Sequence, residues 1–331
     1  MTERGRHDTF PPSISASGGD AAALPASSRC ARAQAYPVRP VRVLEGFGSG
    51  SSADLVARLI GHWLSERLGQ HFVIENRPGA GSNVATEAVV RAAPDGYTFL
   101  TCVTANAINE TLYEKLNFNF IRDIAPVAGL LRMSLVVLVN PSLAAKTLPE
   151  FIDYAKANPG KVNIAVPGNG SGPHVAGELF KMMAEINIVN VPYRGPAPAF
   201  TDLISGQVQV MFVALPAAIG YIRAGELRAL AVTSASRSAE LPDVPAVAEF
   251  VQGYEASGWI GIGAPRGTPA AIIDKLNSNI TAGLADPQLK ARIKGLGADP
   301  MPMTSTQFGA LMGDETEKWA KVVKFAGIRA E

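Results

Sequence analysis

Apolar and polar positions along this 331-residue chain follow two alternating periods. Short β-rich apolar runs are each succeeded by a stretch in which apolar residues recur every three or four positions, the mark of a strand followed by an amphipathic helix. The first pair sets the pattern. Residues 41–45 read as a strand, Gly46-Phe47-Gly48-Ser49-Gly50-Ser51 as a loop, and the next helix carries Leu55, Leu59 and Trp63 on one face. Ser51 is the expected N-cap, with Asp54 at capping-box spacing. That helix stops at Gly69, and strands are expected over 72–75 and 97–103, with helices over 83–92 and around 108–113. An apolar strand over 134–139 is followed by a helix that Thr147 caps and Asn158-Pro159-Gly160 ends.

A second series then begins. Strands are expected over 162–166, 188–191, 208–213 and 227–233, separated by helices that end near 183, 204 and 224. An extended run over 258–263 and helices over 269–284 and 306–325 finish the chain. Strands alternating with helices predict an α/β fold with mostly parallel sheets and right-handed crossovers. Ligands bind at the carboxyl ends of such strands. The Gly- and Ser-rich loops fall into two series, one before 134 and one after 162. Two sheets whose loop edges face each other would enclose an interdomain cleft. Segments 134–139 and 258–263 separate the series and are the expected crossing strands, where hinge closure would occur.

Composition narrows the classes. With 47% hydrophobic residues the chain can bury two cores of ordinary size. A formal net charge of +1 and scattered basic residues give no field for nucleic acid. No apolar run is long enough to span a bilayer. Cys30 and Cys102 are the two cysteines, and no disulfide joins them if the lead segment is removed. No Cys/His cluster suggests a metal. Residues 1–36 are rich in Gly, Ser, Pro and Ala. Ala21–Ala26 resembles the end of a signal-peptide apolar region and Ala31-Arg32-Ala33 a cleavage site, with cleavage after Ala33. A disordered cytoplasmic tail, a misassigned start and a degraded signal are the alternatives.

The candidate chemistry lies in the loops. A strand, a glycine loop and a helix N-terminus around Gly48 expose free N–H groups in a positive field, which makes an anion site. The plainer alternative is a capped unit with nothing bound. Gly48-Ser49-Gly50-Ser51-Ser52-Ala53 also fits the glycine fingerprint of a dinucleotide fold, with Glu75 as its ribose-binding acid. An NAD(P)-dependent oxidoreductase is therefore the alternative function. Of the four histidines, only His174 falls in a cleft loop, three residues after Ser171. No nearby acid orients that pair and no nucleophile elbow surrounds Ser171, so catalysis is not expected. Asp54 should pair with Arg58 and turn away from a bound anion. Residues 46–53, 104–109 and 168–173 carry no basic side chain. A carboxylate would thus be held by backbone N–H groups and hydroxyls, with Arg194 as the nearby exception.

Seven ordered stretches read together as a known family. Gly46–Arg58 is similar to a P-F-x-x-G-G-x-x-D-x-x-A-R stretch. The others are Glu75-Asn76-Arg77-Pro78-Gly79-Ala80-Gly81, Pro94-Asp95-Gly96-Tyr97-Thr98, Ala107-Ile108-Asn109, Ala157-Asn158-Pro159-Gly160, Val191-Pro192-Tyr193-Arg194-Gly195 and Leu241-Pro242-Asp243-Val244-Pro245. Over roughly residues 37–331 the chain resembles the substrate-binding receptors of tripartite tricarboxylate transporters, the Bug family. The resemblance implies a two-domain periplasmic-binding-protein fold, the type II Venus flytrap. Domain 1 would comprise 37–136 and 260–331, and domain 2 would comprise 137–259. It implies a periplasmic monomer without cofactor or metal, capturing a small carboxylate for membrane transporter subunits. Carried onto this sequence, the ligand-binding positions are Phe47, Gly48, Ser49, Gly50, Ser51, Asp54, Asn83, Thr104, Ala105, Asn106, Ser171, His174, Tyr193, Gly195 and Ala214. Gly46 and Gly48 stand where prolines are usual, and Ser51 where a second glycine is usual.

Overall fold

The computed structural model describes residues 36–330. Cys30 and the expectations for the lead segment, including cleavage after Ala33, lie outside them. The first strands and helices are β1 (Val41–Glu45), α1 (Ser52–Leu68), β2 (Phe72–Asn76), α2 (Asn83–Val90), β3 (Thr98–Val103), α3 (Thr104–Leu112) and α4 (Phe120–Asp123). Next come β4 (Ile124–Met133), β5 (Leu135–Val139), α5 (Leu148–Ala157), β6 (Asn163–Val166), α6 (Gly172–Ala184), β7 (Val189–Pro192) and α7 (Pro196–Ser205). The chain ends with β8 (Val210–Ala214), α8 (Leu215–Arg223), β9 (Arg228–Val232), β10 (Gly258–Pro265), α9 (Ala270–Ala285), α10 (Pro287–Gly295), β11 (Asp299–Pro300) and α11 (Ser305–Ala326).

These strands form two sheets, ordered β11-β4-β10-β3-β1-β2 and β7-β6-β8-β5-β9. The α/β expectation holds, but both sheets are mixed rather than mostly parallel. β1 pairs in parallel with β2 and β3, and β6 with β7 and β8. β4, β5 and β10, which flank the two passages between the sheets, pair antiparallel with their neighbours, and the short β11 pairs antiparallel with β4.

β4 is the longest element that the apolar pattern did not reveal, with the short α4, α10 and β11 also unread. Pro126, Gly129 and Arg132 interrupt its alternation, and its pairing with β10 contains two register shifts, the kind of irregularity that hides a strand. The crossing therefore lies at Ser134, the first residue of the expected crossing strand 134–139, between β4 in one sheet and β5 in the other, rather than along that strand. The return passage runs from Thr233 to Ser257, and β10 belongs wholly to the first sheet.

Register decides which sheet edges meet. Val103, the last residue of β3, pairs with Ile260 near the start of β10, and Gly258 pairs with Met133 at the end of β4. The carboxyl edge of the first sheet thus abuts the Ser134 crossing. Leu135, the first residue of β5, pairs with Ala214, the last of β8. The carboxyl edge of the second sheet abuts the same crossing from the other side. Both series of glycine loops consequently open on one space between the sheets.

Side-chain alternation covers both faces of each sheet. On β5, Val136 and Leu138 join one core while Leu135, Val137 and Val139 join another, so the strand reads as continuously apolar. The second of these cores also takes in Leu44, Leu100, Trp259, Phe308 and Trp319, and runs beneath both sheets by way of α11. Helix α1 departs from the expected face. It buries Ala53, Val56, Ala57, Ile60, Gly61 and Leu64, whereas Leu55 is 43% exposed. Small residues let the helix sit close: a Cβ on Gly61 would come within 3.1 Å of Ile74. Leu59 and Trp63 flank the contact, and Trp63 Nε1 donates to Asn279 O of α9 at 2.9 Å.

The loops after β1 and β2 lock together. Gly79, Ala80, Gly81 and Ser82 all have positive φ, at 145°, 46°, 60° and 81°. Two of them are not glycine, so this turn is strained. Ser82 is fully buried, and a Cβ on Gly46 would lie 2.0 Å from its Oγ. A side chain at 46 and the serine at 82 cannot share that space. Gly46→Ala should therefore lower stability by about 1–3 kcal/mol, the usual cost of overpacking. Adding Ser82→Gly should restore part of the loss, since it removes the hydroxymethyl group and relieves the left-handed backbone, while the Cα of residue 82, 2.5 Å from the new Cβ, still has to shift. Denaturant unfolding of both single variants and the double variant measures this coupling, and additive effects would contradict the contact.

Candidate functional site

The first-sheet loop is organised by two carboxylates of its own. Glu45, fully buried at the end of β1, accepts from Phe47 N–H at 2.9 Å and from Asn76 Nδ2 at 3.1 Å through Oε2. Its Oε1 has no partner among the described residues. Burial pushes this carboxyl upward, and the Phe47 N–H and Asn76 amide oppose that only in part. Asp54, buried in the first turn of α1, accepts from Gly50 N–H at 2.9 Å, Asn76 Nδ2 at 2.8 Å and Arg58 Nε at 3.0 Å. Burial alone would raise its pKa, but Arg58, the Gly50 N–H and Asn76 hold it at about 2. Asp54 is therefore turned into the loop, as expected of a residue that would repel a bound anion. It also consumes one of the amides that the sequence offered to a ligand.

Ser51 caps α1 by accepting from Asp54 N–H at 3.1 Å. Phe47 is half-buried and packs on the apolar core between the first sheet and α1. Gly48, Ser49 and Gly50 are exposed, and Gly50 has φ +86°. Among the described residues the N–H groups of Gly48, Ser49, Ser52 and Ala53 have no hydrogen-bond acceptor. The last two lie at the N-terminus of a 17-residue helix, where the field favours negative charge.

The neighbouring loops sort into engaged and free groups. Thr104 Oγ1 accepts from Trp259 N–H at 2.9 Å, so it ties β3 to the start of β10. Asn106 caps α3 by accepting from Val103 N–H at 2.8 Å, and its amide donates to Thr86 at 2.9 Å. Ala105 packs on the same core as Phe47. Asn83 is different. Its Oδ1 accepts from Asn109 Nδ2 at 2.9 Å, while its buried Nδ2 has no partner among the described residues. Ser82 Oγ next to it is likewise buried and unpartnered. Ser82 was not among the sequence-derived positions. Its signal is the left-handed backbone and the contact with Gly46, which no residue spacing encodes.

On the facing edge, Ser171 caps α6 by accepting from His174 N–H at 3.4 Å. His174 is 6% exposed and turned inward, towards Gly170, Asn190 and Glu178. Tyr193 donates to Asp202 Oδ2 of α7 at 2.7 Å, and burial together with that carboxylate pushes its phenol up to about 12. Gly195 precedes α7 with φ +107°, and Ala214 ends β8 opposite Leu135. Arg194 is exposed.

The structure thus gathers the sequence-derived positions along two facing edges. It takes the side chains of Asp54, Thr104, Asn106, His174 and Tyr193 for internal bonds. Exposed backbone amides, Asn83 Nδ2 and the hydroxyls of Ser82 and Ser171 remain as donors, whereas the Ser49 hydroxyl donates to Asp54 Oδ2 at 3.5 Å. The geometry disfavours a dinucleotide. Both oxygens of Glu75 are occupied by Arg42, at 2.6 and 2.9 Å, and Arg77 adds a third contact at 3.3 Å.

Comparison with known proteins places this geometry. The model of the tripartite tricarboxylate transporter family receptor matches residues 56–328. Protein BugT of Bordetella pertussis is 36% identical over 302 residues, 90% of this chain and 92% of that protein. The solved R. palustris protein Rpa4515 with adipate is 37% identical with a TM-score of 0.75, over 89% of this chain and 99% of that one. MatC from Rhodopseudomonas palustris with bound malate is 33% identical with a TM-score of 0.71, over 87% and 100%. Matched along most of its length in sequence and in fold, the chain belongs to the tripartite tricarboxylate transporter receptor family.

Proposed function

We propose that this chain is an extracytoplasmic, monomeric receptor that captures a small carboxylic acid between its two lobes and delivers it to transporter subunits in the membrane. The single observation that carries the reading is the pair of buried, unpartnered donors Ser82 Oγ and Asn83 Nδ2, set on a strained turn at the carboxyl edge of the first sheet. Strain of this kind is retained where a site needs it, and buried donors without acceptors ask for an anionic or water-bridged partner. The relatives solved with adipate and malate support a carboxylate as that partner. The expected lobes, 37–136 with 260–331 and 137–259, would close about Ser134 and the 233–257 return, with residues 135–136 of β5 passing to the second lobe and 258–259 of β10 to the first. Export with cleavage after Ala33 completes the reading.

Mass spectrometry of the small molecules released when protein from its native cells is denatured should find one carboxylic acid near stoichiometry. Finding NAD or NADP instead would reinstate the oxidoreductase.

Titration calorimetry with the acid so identified tests the donors. Asn83→Ala should weaken binding by about 1–3 kcal/mol, the cost of removing one partner of a bond to a charged group. Arg194→Ala should cost less than about 1 kcal/mol, the scale of an exposed ion pair. The reverse order would assign the carboxylate to Arg194.

A further inference from the structure

His174 stands in a buried cluster that the binding reading does not use. Its Nδ1 lies 3.0 Å from the Gly170 nitrogen and accepts that N–H. In a neutral ring the proton then sits on Nε2, on the side of Glu178 Oε1 at 3.8 Å. Asn190 Nδ2 is 3.3 Å from Nε2, but it is already committed to Glu178 Oε1 at 2.7 Å. Lys181 Nζ donates to the same oxygen at 2.7 Å. Glu178 and Lys181, both on α6, are the charged groups facing the ring, and β7 contributes the uncharged Asn190.

Gly170 is where the second-sheet loop meets the other lobe. A Cβ there would lie 2.5 Å from Leu112 of α3, and its φ is +68°. The adjoining Asn169 amide donates to Arg329 O at 3.1 Å, and Ala330 N–H reaches Leu112 O at 3.4 Å. The turn over 168–171 therefore touches α3 and the C-terminal residues at once.

We infer that His174 is a positioning residue whose neutral imidazole latches the Gly168–Ser171 loop through the Gly170 N–H, and that protonation opens the latch. The inference rests on the receptor reading for its purpose, because that loop supplies Ser171 to the cleft. The physical step is simple. A protonated imidazole has two N–H donors and no acceptor, so Nδ1 can no longer take the Gly170 proton. Burial disfavours the charged ring, Glu178 pulls the other way, and the net effect lowers its proton affinity. The latch is closed at neutral pH and opens as pH falls through that lowered range. A compartment outside the cytoplasm, whose acidity follows the surroundings, would impose such a change on the loop.

The test uses the unliganded chain and so does not depend on which acid binds. Nitrogen NMR of 15N-histidine- and 15N-glycine-labelled protein should show His174 as the Nε2–H tautomer at neutral pH. The Gly170 amide should shift with the His174 titration, at a midpoint below the ordinary range of a histidine. Relative to its intrinsic rate, Gly170 exchange should be about tenfold slower in the neutral form, the size of one hydrogen bond. His174→Asn places Oδ1 where Nδ1 stood, so it should keep Gly170 protected with no pH response. His174→Leu should lose the protection at every pH. An Nδ1–H tautomer at neutral pH, or a Gly170 amide indifferent to the titration and to the Leu variant, overturns the inference. Neither outcome bears on carboxylate capture, which the retained acid decides separately.

Discussion

Everything in this molecule depends on how two sheets are held edge to edge at one crossing. Ser134 O accepts from Leu215 N–H at 3.1 Å, and Leu135 N–H donates to Thr233 Oγ1 at 2.9 Å. The same hydroxyl donates to Ala256 O at 3.0 Å, and Trp259 N–H reaches Thr104. These few bonds join the ends of β3, β4, β8 and β9. They make both carboxyl edges look into the same space. Without that constraint the glycine loops would be isolated turns, and no pair of them could enclose a ligand.

A charged cluster on α11 backs the crossing. Glu315, 4% exposed, accepts from Trp259 Nε1 at 3.1 Å and from Trp319 Nε1 at 2.8 Å, and it pairs with Lys318. Lys318 also holds Glu255 at 3.1 Å, on the return passage. Burial would raise the Glu255 carboxyl, but the charges of Lys318 and Arg132 outweigh it and hold it low. The C-terminal helix therefore fixes the return passage while its apolar face fills the core beneath both sheets. Within the first loop, Glu45 and Asp54 similarly supply their own negative charge to Phe47 and Gly50. A bound carboxylate must use the remaining donors, which are fewer than a bare glycine loop would offer.

Much of this was legible in the sequence because period and turn chemistry agree. The β1 loop, the Ser51 cap and the Asp54–Arg58 pair follow from local rules, and all three are present. Resemblance pointed to the loops at the carboxyl edges, since their order along the chain is that of a family. What was not legible is what depends on three-dimensional partners. β4 was hidden by Pro126 and Gly129, which only its register with β10 explains. Leu55, Leu59 and Trp63 looked like the buried stripe of α1, yet the inner face is set by the small residues that admit the sheet. Thr104, Asn106 and His174 carry the right chemistry for a ligand, but internal acceptors and donors already occupy them. Ser82 became visible only through its strained backbone and its contact with Gly46.

A crystal structure of the chain with the acid that it retains from its own cells tests the central claim most directly. The carboxylate should lie between the two carboxyl edges, within hydrogen-bond reach of Asn83 Nδ2 and of the Gly48–Ala53 loop on one side and facing the loop of Ser171 on the other. A ligand seated away from these edges, or a nucleotide lying along the Gly48–Ala53 loop toward Glu75, would contradict it.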